Sequence, residues 1–333
     1  MSQNSTALIQ LENLHKKFTK RPDIVERLFH SLSTGRSEET VHAVNGVSLT
    51  IQPGEVVGLV GESGCGKSTL GRMVAGLLPA TEGAVLYKGQ DVRDLKAKER
   101  LKYILDVQLI FQDPLASLNP KQKLGSIISE ALYVHKLLPK EHIPERIDQA
   151  LLEVGLDPEY KHRLPHQISG GQRQRIGIAR ALAVNPSFLV CDEPVAALDV
   201  SIQAQVINLF MDLRDRHQLT YLFISHDLGV VRHISDRVAI MYLGKIVELA
   251  SRDDIFSHAA HPYTQALLAE MPSIHKQKRS FEPIKGEIPS PLNPPSGCAF
   301  HPRCPVAKEI CKKEAPTLKH IHAQHQAACH LLD

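Results

Sequence analysis

The sequence predicts an α/β fold built on a mostly parallel β-sheet. From Ala7 to about Leu249, short runs of β-branched and other apolar residues alternate with helical patterns, which is typical of strands joined by covering helices. The best strand candidates are Val56–Val60, Phe188–Cys191 and Tyr221–Ser225. Between the last two, a helical pattern places five apolar residues on one face. They are Ile202, Val206, Leu209, Phe210 and Leu213.

Composition narrows the class of protein. The chain has 333 residues, 43% of them hydrophobic, which is enough for about two domains and unlike a disordered chain. Its 39 basic and 36 acidic side chains leave a formal charge of only +3, so we expect no nucleic-acid partner. No apolar stretch is long enough to span a bilayer, and the polar segment 2–6 lacks a signal-peptide core. We expect a reduced, intracellular chain whose six cysteines are thiols or metal ligands.

Two domains are predicted. Residues 7–250 would form the α/β domain, with an inserted helical lobe at about 113–168, where no strand pattern occurs. Residues 251–333 would form a small appended module rich in proline and histidine. The polar, basic segment 19–40 is interpreted as a surface loop or extension without an assigned function.

A phosphate-binding loop follows the first strand candidate and fits the pattern G-x-x-x-x-G-K-S. It comprises Gly61, Glu62, Ser63, Gly64, Cys65, Gly66, Lys67, Ser68 and Thr69. Its glycines let the backbone curve so that N–H groups point at phosphate oxygens, and the following helix start adds partial positive charge. Lys67 is expected to reach the β- and γ-phosphates, and Ser68 to ligate Mg²⁺. Cys65 is interpreted as a small side chain that packs in the loop, not as a catalytic thiol.

Two acidic residues end the second strand candidate. Asp192 and Glu193 follow Phe188–Cys191, and sheets of this kind place ligands at the carboxyl ends of their strands. Asp192 would hold Mg²⁺ through water, and Glu193 would polarise an attacking water as general base. An apolar run followed by two acids is common by itself, so this prediction depends on the phosphate loop.

A third motif indicates which nucleotide-binding family is involved. The segment Gln167–Arg175 contains Ser169, Gly170, Gly171 and Gln172 at the start of a helical pattern. Free N–H groups at a helix start form a second anion site. The segment closely resembles the signature of ABC ATPases, whose nucleotide-binding domain has a RecA-like P-loop NTPase core with a helical lobe. The resemblance implies a head-to-tail dimer in which these four residues cover the ATP bound by the partner subunit.

The same resemblance implies roles for single residues. Gln112 matches the glutamine that senses Mg²⁺ and the attacking water, and His226 matches the histidine that contacts the γ-phosphate beside Glu193. Phe18 matches the aromatic residue that stacks on adenine. Ala196 departs from the family pattern, which usually has serine there, although the residues for hydrolysis remain present.

The C-terminal residues extend the resemblance. Segments 261–268, 286–291 and 294–298 resemble the extension of dipeptide and oligopeptide importer ATPases, most of all the F-type subunit of dipeptide importers. This implies ATP-driven import of dipeptides or short peptides at the cytoplasmic face of the inner membrane. The implied partners are a second ABC ATPase subunit, two transmembrane permease subunits and an extracytoplasmic substrate-binding protein. A sister ATPase is expected in the dimer, with a homodimer as the alternative.

Four cysteines in the same module predict a metal site. Cys298, Cys304, Cys311 and Cys329 follow C-x5-C-x6-C-x17-C, and four thiolates suit zinc or a [4Fe-4S] cluster. The spacings are wider than those of structural zinc modules, which favours the cluster, as the family resemblance also implies. Zinc and free thiols remain open. Four neighbouring histidines are further candidate ligands, although scattered, exposed side chains are the preferred interpretation; they are His320, His322, His325 and His330.

Two alternatives to transport compete. A soluble ABC ATPase acting on ribosomes or DNA would usually carry two cassettes or a long coiled-coil insertion, and neither is visible in the sequence. As a second alternative, the C-terminal module would be a metal-sensing regulator of ATP turnover. The transported substrate stays open, because dipeptide, oligopeptide, glutathione and nickel importers share this architecture.

Overall fold

Two β-sheets organise the part of the chain that the structure describes. This computed structural model covers residues 7–19, 40–271, 286–322 and 324–332. Nearly all of the predicted surface loop at 19–40, and the polar start at 2–6, lie outside the described residues.

Four strands form the smaller, antiparallel sheet. They are β1 (Ile9–Thr19), β2 (Thr40–Ile51), β4 (Glu82–Tyr87) and β5 (Gln90–Asp91). Their order is β2–β1–β4–β5, and Phe18 in β1 pairs with Val41 in β2. The inward side chains of these strands join those of the larger sheet in one apolar cluster.

Eight strands form the larger sheet. They are β3 (Val56–Val60), β6 (Val107–Ile110), β7 (Phe188–Asp192), β8 (Thr220–Ser225), β9 (Arg237–Tyr242), β10 (Lys245–Ser251), β11 (Lys319–His322) and β12 (His325–Ala327). In the order β11–β12–β10–β9–β3–β8–β7–β6, the last five strands are parallel and the first three pair antiparallel. The predicted α/β fold on a mostly parallel sheet is confirmed. The three strand candidates match β3, β7 and β8 to within one residue.

Helices cover both sheets and build the lobe. They are α1 (Lys67–Val74), α2 (Ala97–Asp106), α3 (Leu124–Val134), α4 (Ile143–Glu153), α5 (Gly170–Leu182), α6 (Val200–His217), α7 (Leu228–Ile234), α8 (Arg252–His258), α9 (Pro262–Ala269) and α10 (Glu309–Lys313). The helix predicted from its apolar face is α6, which buries Phe210 edge-on against Tyr221 and Phe223 of β8, with ring centroids 5.8 and 5.7 Å apart.

The helices α3, α4 and α5 pack together around buried aliphatic side chains. Residues 113–168 contain no strand, as the sequence pattern predicts. Arg146 of α4 joins this lobe to the end of α5: its guanidinium donates to the carbonyl oxygens of Leu182 and Ala183 and to Asn185 Oδ1. A buried cation thus satisfies carbonyls that the last turn of a helix leaves unpaired.

The described residues after 251 pack directly onto the α/β core. Strand β12 pairs with β10, so the C-terminal hairpin continues the larger sheet. Nearby, Tyr242 of β9 contacts Tyr263 and Phe300, with ring centroids 4.7 and 5.4 Å apart. Phe300 is 1% exposed and belongs to the same apolar cluster as Val60 of β3.

Replacing Phe300 by alanine should lower the free energy of unfolding by about 3–5 kcal/mol, because the change opens a cavity among rings that cannot collapse freely. Urea denaturation of the full chain measures it. Val306→Ala is the control, since Val306 is 51% exposed in the same segment and its loss should cost less than about 0.5 kcal/mol. Equal losses in both variants would contradict this packing.

Candidate nucleotide site

A cleft of about 450 Å³ lies where β3, β7 and β8 end. The residues that line it are Val41, His42, Ala43, Ser63, Gly64, Cys65, Gly66, Lys67, Ser68, Thr69, Gln112, Glu193, His226, Leu243, Gly244 and Pro291. The structure therefore brings most of the predicted phosphate loop together with Gln112, Glu193 and His226. The contribution of β2 through Val41, His42 and Ala43 was not predicted.

The phosphate loop needs glycine at two points. A Cβ atom on Gly61 would lie 2.1 Å from the carbonyl oxygen of Met241, and one on Gly66 would lie 2.1 Å from that of Ala43. Gly66 also has a φ of 107°, which other residues rarely adopt. Gly66 is the N-cap of α1 and supplies no side-chain hydrogen bond, so side chains leave this helix start open toward the cleft.

Lys67 lies at the base of the cleft. It is 4% exposed, and its ammonium donates to the carbonyl oxygens of Gly61 and Glu62 at 2.7 and 3.0 Å. Glu193 Oε1 is 4.0 Å from the same Nζ atom. A buried ammonium beside an open helix start gives this end of the cleft a positive potential suited to phosphate. Burial raises the pKa of the neighbouring Cys65 thiol, which disfavours a thiolate nucleophile.

Two oxygen ligands lie side by side next to Lys67. Ser68 Oγ donates to Asp192 Oδ1 at 2.8 Å, and Asp192 is 3% exposed. Burial raises the pKa of the Asp192 carboxyl, because the charged form loses its hydration. A hydroxyl and a carboxylate are the hard oxygen donors that Mg²⁺ prefers, so this pair fits that ion.

Glu193 connects three predicted site residues. Its Oε2 accepts from Gln112 Nε2 at 3.0 Å and lies 3.1 Å from His226 Nδ1. Its backbone has a φ of 46°, in the left-handed region, and its N–H donates to the carbonyl oxygen of Ile224 at 3.0 Å. This turn points the carboxylate into the cleft instead of continuing β7. Such backbone strain is common where a functional side chain must be aimed.

The signature residues lie elsewhere on the chain's surface. Ser169 caps α5: its Oγ accepts from Gln172 N–H at 3.3 Å, and Gln172 Oε1 accepts from Ser169 N–H at 3.0 Å. Ser169 and Gly170 are exposed. None of Ser169, Gly170, Gly171 and Gln172 lines the cleft of its own chain.

Phe18 lies beside the cleft without lining it. Its ring is 44% exposed, and its strand partner Val41 is a lining residue. Lys16 Nζ lies 5.2 Å from the centroid of the Phe18 ring, so a cation already covers part of this aromatic face. Its adenine-stacking role stays a prediction.

Two residues from the C-terminal region hold the phosphate loop, and sequence patterns missed both. Arg303 donates to both carboxylate oxygens of Glu62, at 2.7 and 2.9 Å, and its side chain is 5% exposed. The backbone N–H of Glu62 donates to the hydroxyl of Tyr263 at 3.0 Å. No local signal could have paired residues so distant in the chain.

The four C-terminal cysteines share one narrow cavity. Cys298, Cys304, Cys311 and Cys329 line it with Phe300 and other residues, and none of the four is in a disulfide bond. Burial raises the pKa of the Cys298, Cys304 and Cys329 thiols. Four thiols around one cavity suit a tetrahedral zinc ion or a [4Fe-4S] cluster.

Relatives over the whole length of the chain decide the family. The oligopeptide transport ATP-binding protein AppF of Bacillus subtilis is 49% identical over 98% of this chain and 98% of its own length. This chain belongs to the ABC transporter ATPases. OppF of Escherichia coli, named for oligopeptide transport, is 48% identical over 89% of each chain. DppF of Pseudomonas aeruginosa, named for di/tripeptide transport, is 48% identical over 87% of this chain and 90% of its own.

Family models and solved structures agree with this assignment. Residues 44–196 match the ABC transporter family, and residues 247–311 match the family described as oligopeptide/dipeptide transporter, C-terminal region. The structure of cbiO1 from Clostridium perfringens aligns with this ABC ATPase at a TM-score of 0.62 and 26% identity, over 76% of this chain and 92% of its own. The structure of a dimeric ATP-binding cassette in a post-hydrolysis state, bound to ADP and Pi, aligns at a TM-score of 0.62 and 28% identity, over 73% of this chain and 98% of its own. Within the described residues of this ABC ATPase, no helix has both the length and the apolar character needed to cross a bilayer.

The Arg303–Glu62 pair should couple strongly in a double-mutant cycle. Arg303→Met leaves a partly buried carboxylate unpaired and should cost about 3–5 kcal/mol, and adding Glu62→Gln should recover about 0.5–3 kcal/mol as the coupling energy. Urea denaturation of the four proteins measures both values. The exposed pair Lys312–Glu309 is the control, with an expected coupling below about 1 kcal/mol. Equal coupling in the two pairs would contradict an anchoring role for Arg303.

Proposed function

We propose that this ABC ATPase couples ATP hydrolysis to the inward transport of dipeptides or short peptides. The observation that carries the proposal is the meeting of Lys67, Gln112, Glu193 and His226 in one cleft at the strand ends. Relatives named for oligopeptide and di/tripeptide transport support the substrate class. No relative reported above is named for action on ribosomes or DNA, so that alternative lacks support.

Each of the four side chains would have its own role in ATP hydrolysis. Lys67 neutralises the phosphates with a buried ammonium, and Glu193 withdraws a proton from the attacking water as general base. Gln112 and His226 both contact Glu193 Oε2, so they orient its carboxylate and leave Oε1 for the water. His226 has an exposed ring, which makes it the side chain free to meet the γ-phosphate.

Mg²⁺ would be held by Ser68, Asp192 and Gln112. Ser68 and Gln112 line the cleft and supply a hydroxyl and an amide oxygen, and Asp192, which does not line it, supplies a carboxylate oxygen beside the Ser68 hydroxyl. The ion, when bound, neutralises charge on the phosphate oxygens. A dication beside Asp192 would also offset the cost of burying that carboxylate.

The exposed signature supports a head-to-tail dimer. Ser169, Gly170, Gly171 and Gln172 lie at the positive start of α5 but away from their own cleft, so their anion site would serve the ATP of a second subunit. A dimeric cassette among the structural neighbours supports this arrangement. We favour a sister ATPase as the partner, with two permease subunits and a substrate-binding protein completing the importer at the cytoplasmic face of the inner membrane.

The cysteine cavity is proposed to hold a [4Fe-4S] cluster, with zinc as the alternative. The four cysteines line this one cavity, and four thiolates are the ligand set of such a cluster. Cys298 and Cys311 are already joined by a backbone hydrogen bond of 2.8 Å. A cluster would cross-link segments that contain little regular secondary structure of their own.

Glu193→Gln should keep ATP affinity while ATP turnover falls at least about 100-fold, because the amide cannot accept the proton from water. Turnover is measured in the assembled transporter and affinity on the same preparation. Glu141→Gln, an exposed change in the helical lobe, is the control and should leave both unchanged. Near-normal hydrolysis by Glu193→Gln would refute the general-base role.

Lys67→Ala should instead weaken ATP binding itself, because the positive charge that faces the phosphates is lost.

The slow variant also tests the dimer. ATP should hold Glu193→Gln as a dimer, alone or mixed with its sister subunit, and light scattering measures the mass. Adding Ser169→Arg should abolish the dimer while leaving ATP affinity intact. An undiminished dimer would show that the signature does not face the partner's nucleotide.

Anaerobically purified protein should contain about four iron and four sulfide per chain, the content of one [4Fe-4S] cluster. Chemical assay of both elements measures this, and Cys298→Ser should lower the content, whereas Cys65→Ser, a change outside the cavity, should not. One equivalent of zinc without iron would reject the cluster in favour of the alternative.

A further inference from the structure

Three candidate metal ligands meet at the C-terminal edge of the larger sheet, away from the cysteine cavity. They are Asp254 of α8, His322 of β11 and His325 of β12. One carboxylate oxygen and one nitrogen from each imidazole all lie within 4.8 Å of one another. Asp254 is half-buried, His322 is exposed and His325 is buried, so the group is open to solvent on one side.

His325 contradicts the expectation that the C-terminal histidines are exposed surface residues. It is 1% exposed, and its Nε2 lies 2.7 Å from Oε1 of Glu248, which is 0% exposed. The carboxylate of Glu248 also accepts the backbone N–H groups of Ala260 and His261, at 2.7 and 3.0 Å. Its position in β12 explains the burial, because this strand pairs with β10 and turns the His325 ring into the interface.

The second nitrogen of His325 is buried without a partner. Because a carboxylate accepts hydrogen bonds, Nε2 of His325 donates to Glu248, and in a neutral ring with this tautomer Nδ1 carries a lone pair. Nδ1 has no hydrogen-bond partner in the structure and no contact with solvent. A buried nitrogen without a partner costs free energy, so native proteins rarely leave one without a purpose. Asp254 and His322 each bring a ligand atom within 4.8 Å of one ring nitrogen of His325, and Nδ1 is the nitrogen that the contact with Glu248 leaves available.

We propose that Asp254, His322 and His325 bind a divalent transition metal ion, with Zn²⁺ as the best match. Two imidazole nitrogens and one carboxylate oxygen form a donor set that zinc accepts, and a water would complete four-coordination. Glu248 is the positioning residue: metal-ligating histidines commonly donate their other N–H to a carboxylate, which fixes the tautomer and makes the ligating nitrogen more basic. The buried carboxylate of Glu248 would then lie on one side of the His325 ring and the metal ion on the other.

Asp254 is oriented for the same purpose. Ser251 Oγ hydrogen-bonds Asp254 Oδ2 at 2.7 Å and accepts the Asp254 N–H at 3.1 Å, which fixes the side chain at the start of α8. The metal would join α8 to the hairpin of β11 and β12. Metal binding should therefore stabilise the folded chain in proportion to affinity.

Cobalt substitution tests the site on the full, nucleotide-free chain after treatment with a chelator. Co²⁺ bound to nitrogen and oxygen gives visible absorption without the intense near-ultraviolet thiolate band that the cysteines would produce. His322→Ala and Asp254→Asn should each weaken Co²⁺ and Zn²⁺ binding at least about 10-fold. The matched controls His320→Ala and Asp253→Asn change exposed neighbours of the same type and should leave binding unaltered. His325 itself is left intact because its burial makes misfolding of a variant a separate outcome.

Thermal unfolding gives the second measurement. Zn²⁺ should raise the melting temperature of the wild type and of His320→Ala but not of His322→Ala. The proposal is overturned if His322→Ala and His320→Ala bind Co²⁺ equally, or if the wild type shows only the thiolate band. Neither result would bear on the ATP site, which shares no residue with this one.

Discussion

The parallel register of three strands determines the nucleotide site. Val60 of β3 pairs with Ser225 of β8, and Asp192 of β7 pairs with Ile224. The residues that follow these strands then lie at the cleft end of the sheet. They are Gly61, which begins the phosphate loop, His226 and Glu193. A shift of one residue in any strand would turn these side chains to the opposite face of the sheet. Burial of all three strands on both faces prevents such a shift.

Sequence patterns predicted the parts of the fold that carry their own geometry. A glycine-rich turn between a strand and a helix needs little long-range information, and neither do the apolar runs that became β3, β7 and β8. The C-terminal hairpin was missed because β11 has four exposed residues and β12 only three residues in all, so neither shows a strand period. Its pairing with β10 depends on contacts across a large part of the chain.

The same limit explains what sequence reasoning missed around the site. The charges of Arg303 and Glu62 gave no sign of pairing, since any of many surface residues could have served. His325 looked like one histidine among several, and only the fold reveals that it faces a buried carboxylate. In contrast, Gln112 and His226 could be predicted because each matches a motif of the family that the sequence resembles, and both side chains lie against Glu193. Local motifs therefore indicated the candidate catalytic residues, and only the tertiary structure shows which residues hold them in place.

Arg303 stands next to Cys304 in the chain, and this adjacency makes a short mechanical linkage. The Cα atoms of the two residues are one peptide unit, about 3.8 Å, apart. The guanidinium of Arg303 donates to Glu62, and Cys304 lines the cysteine cavity. A change in the position of Cys304 would therefore act on the contact between Arg303 and Glu62 as well as on the apolar cluster that Cys304 packs against. The C-terminal region of this protein thus connects the cysteine cavity to the phosphate loop through Arg303 and Glu62.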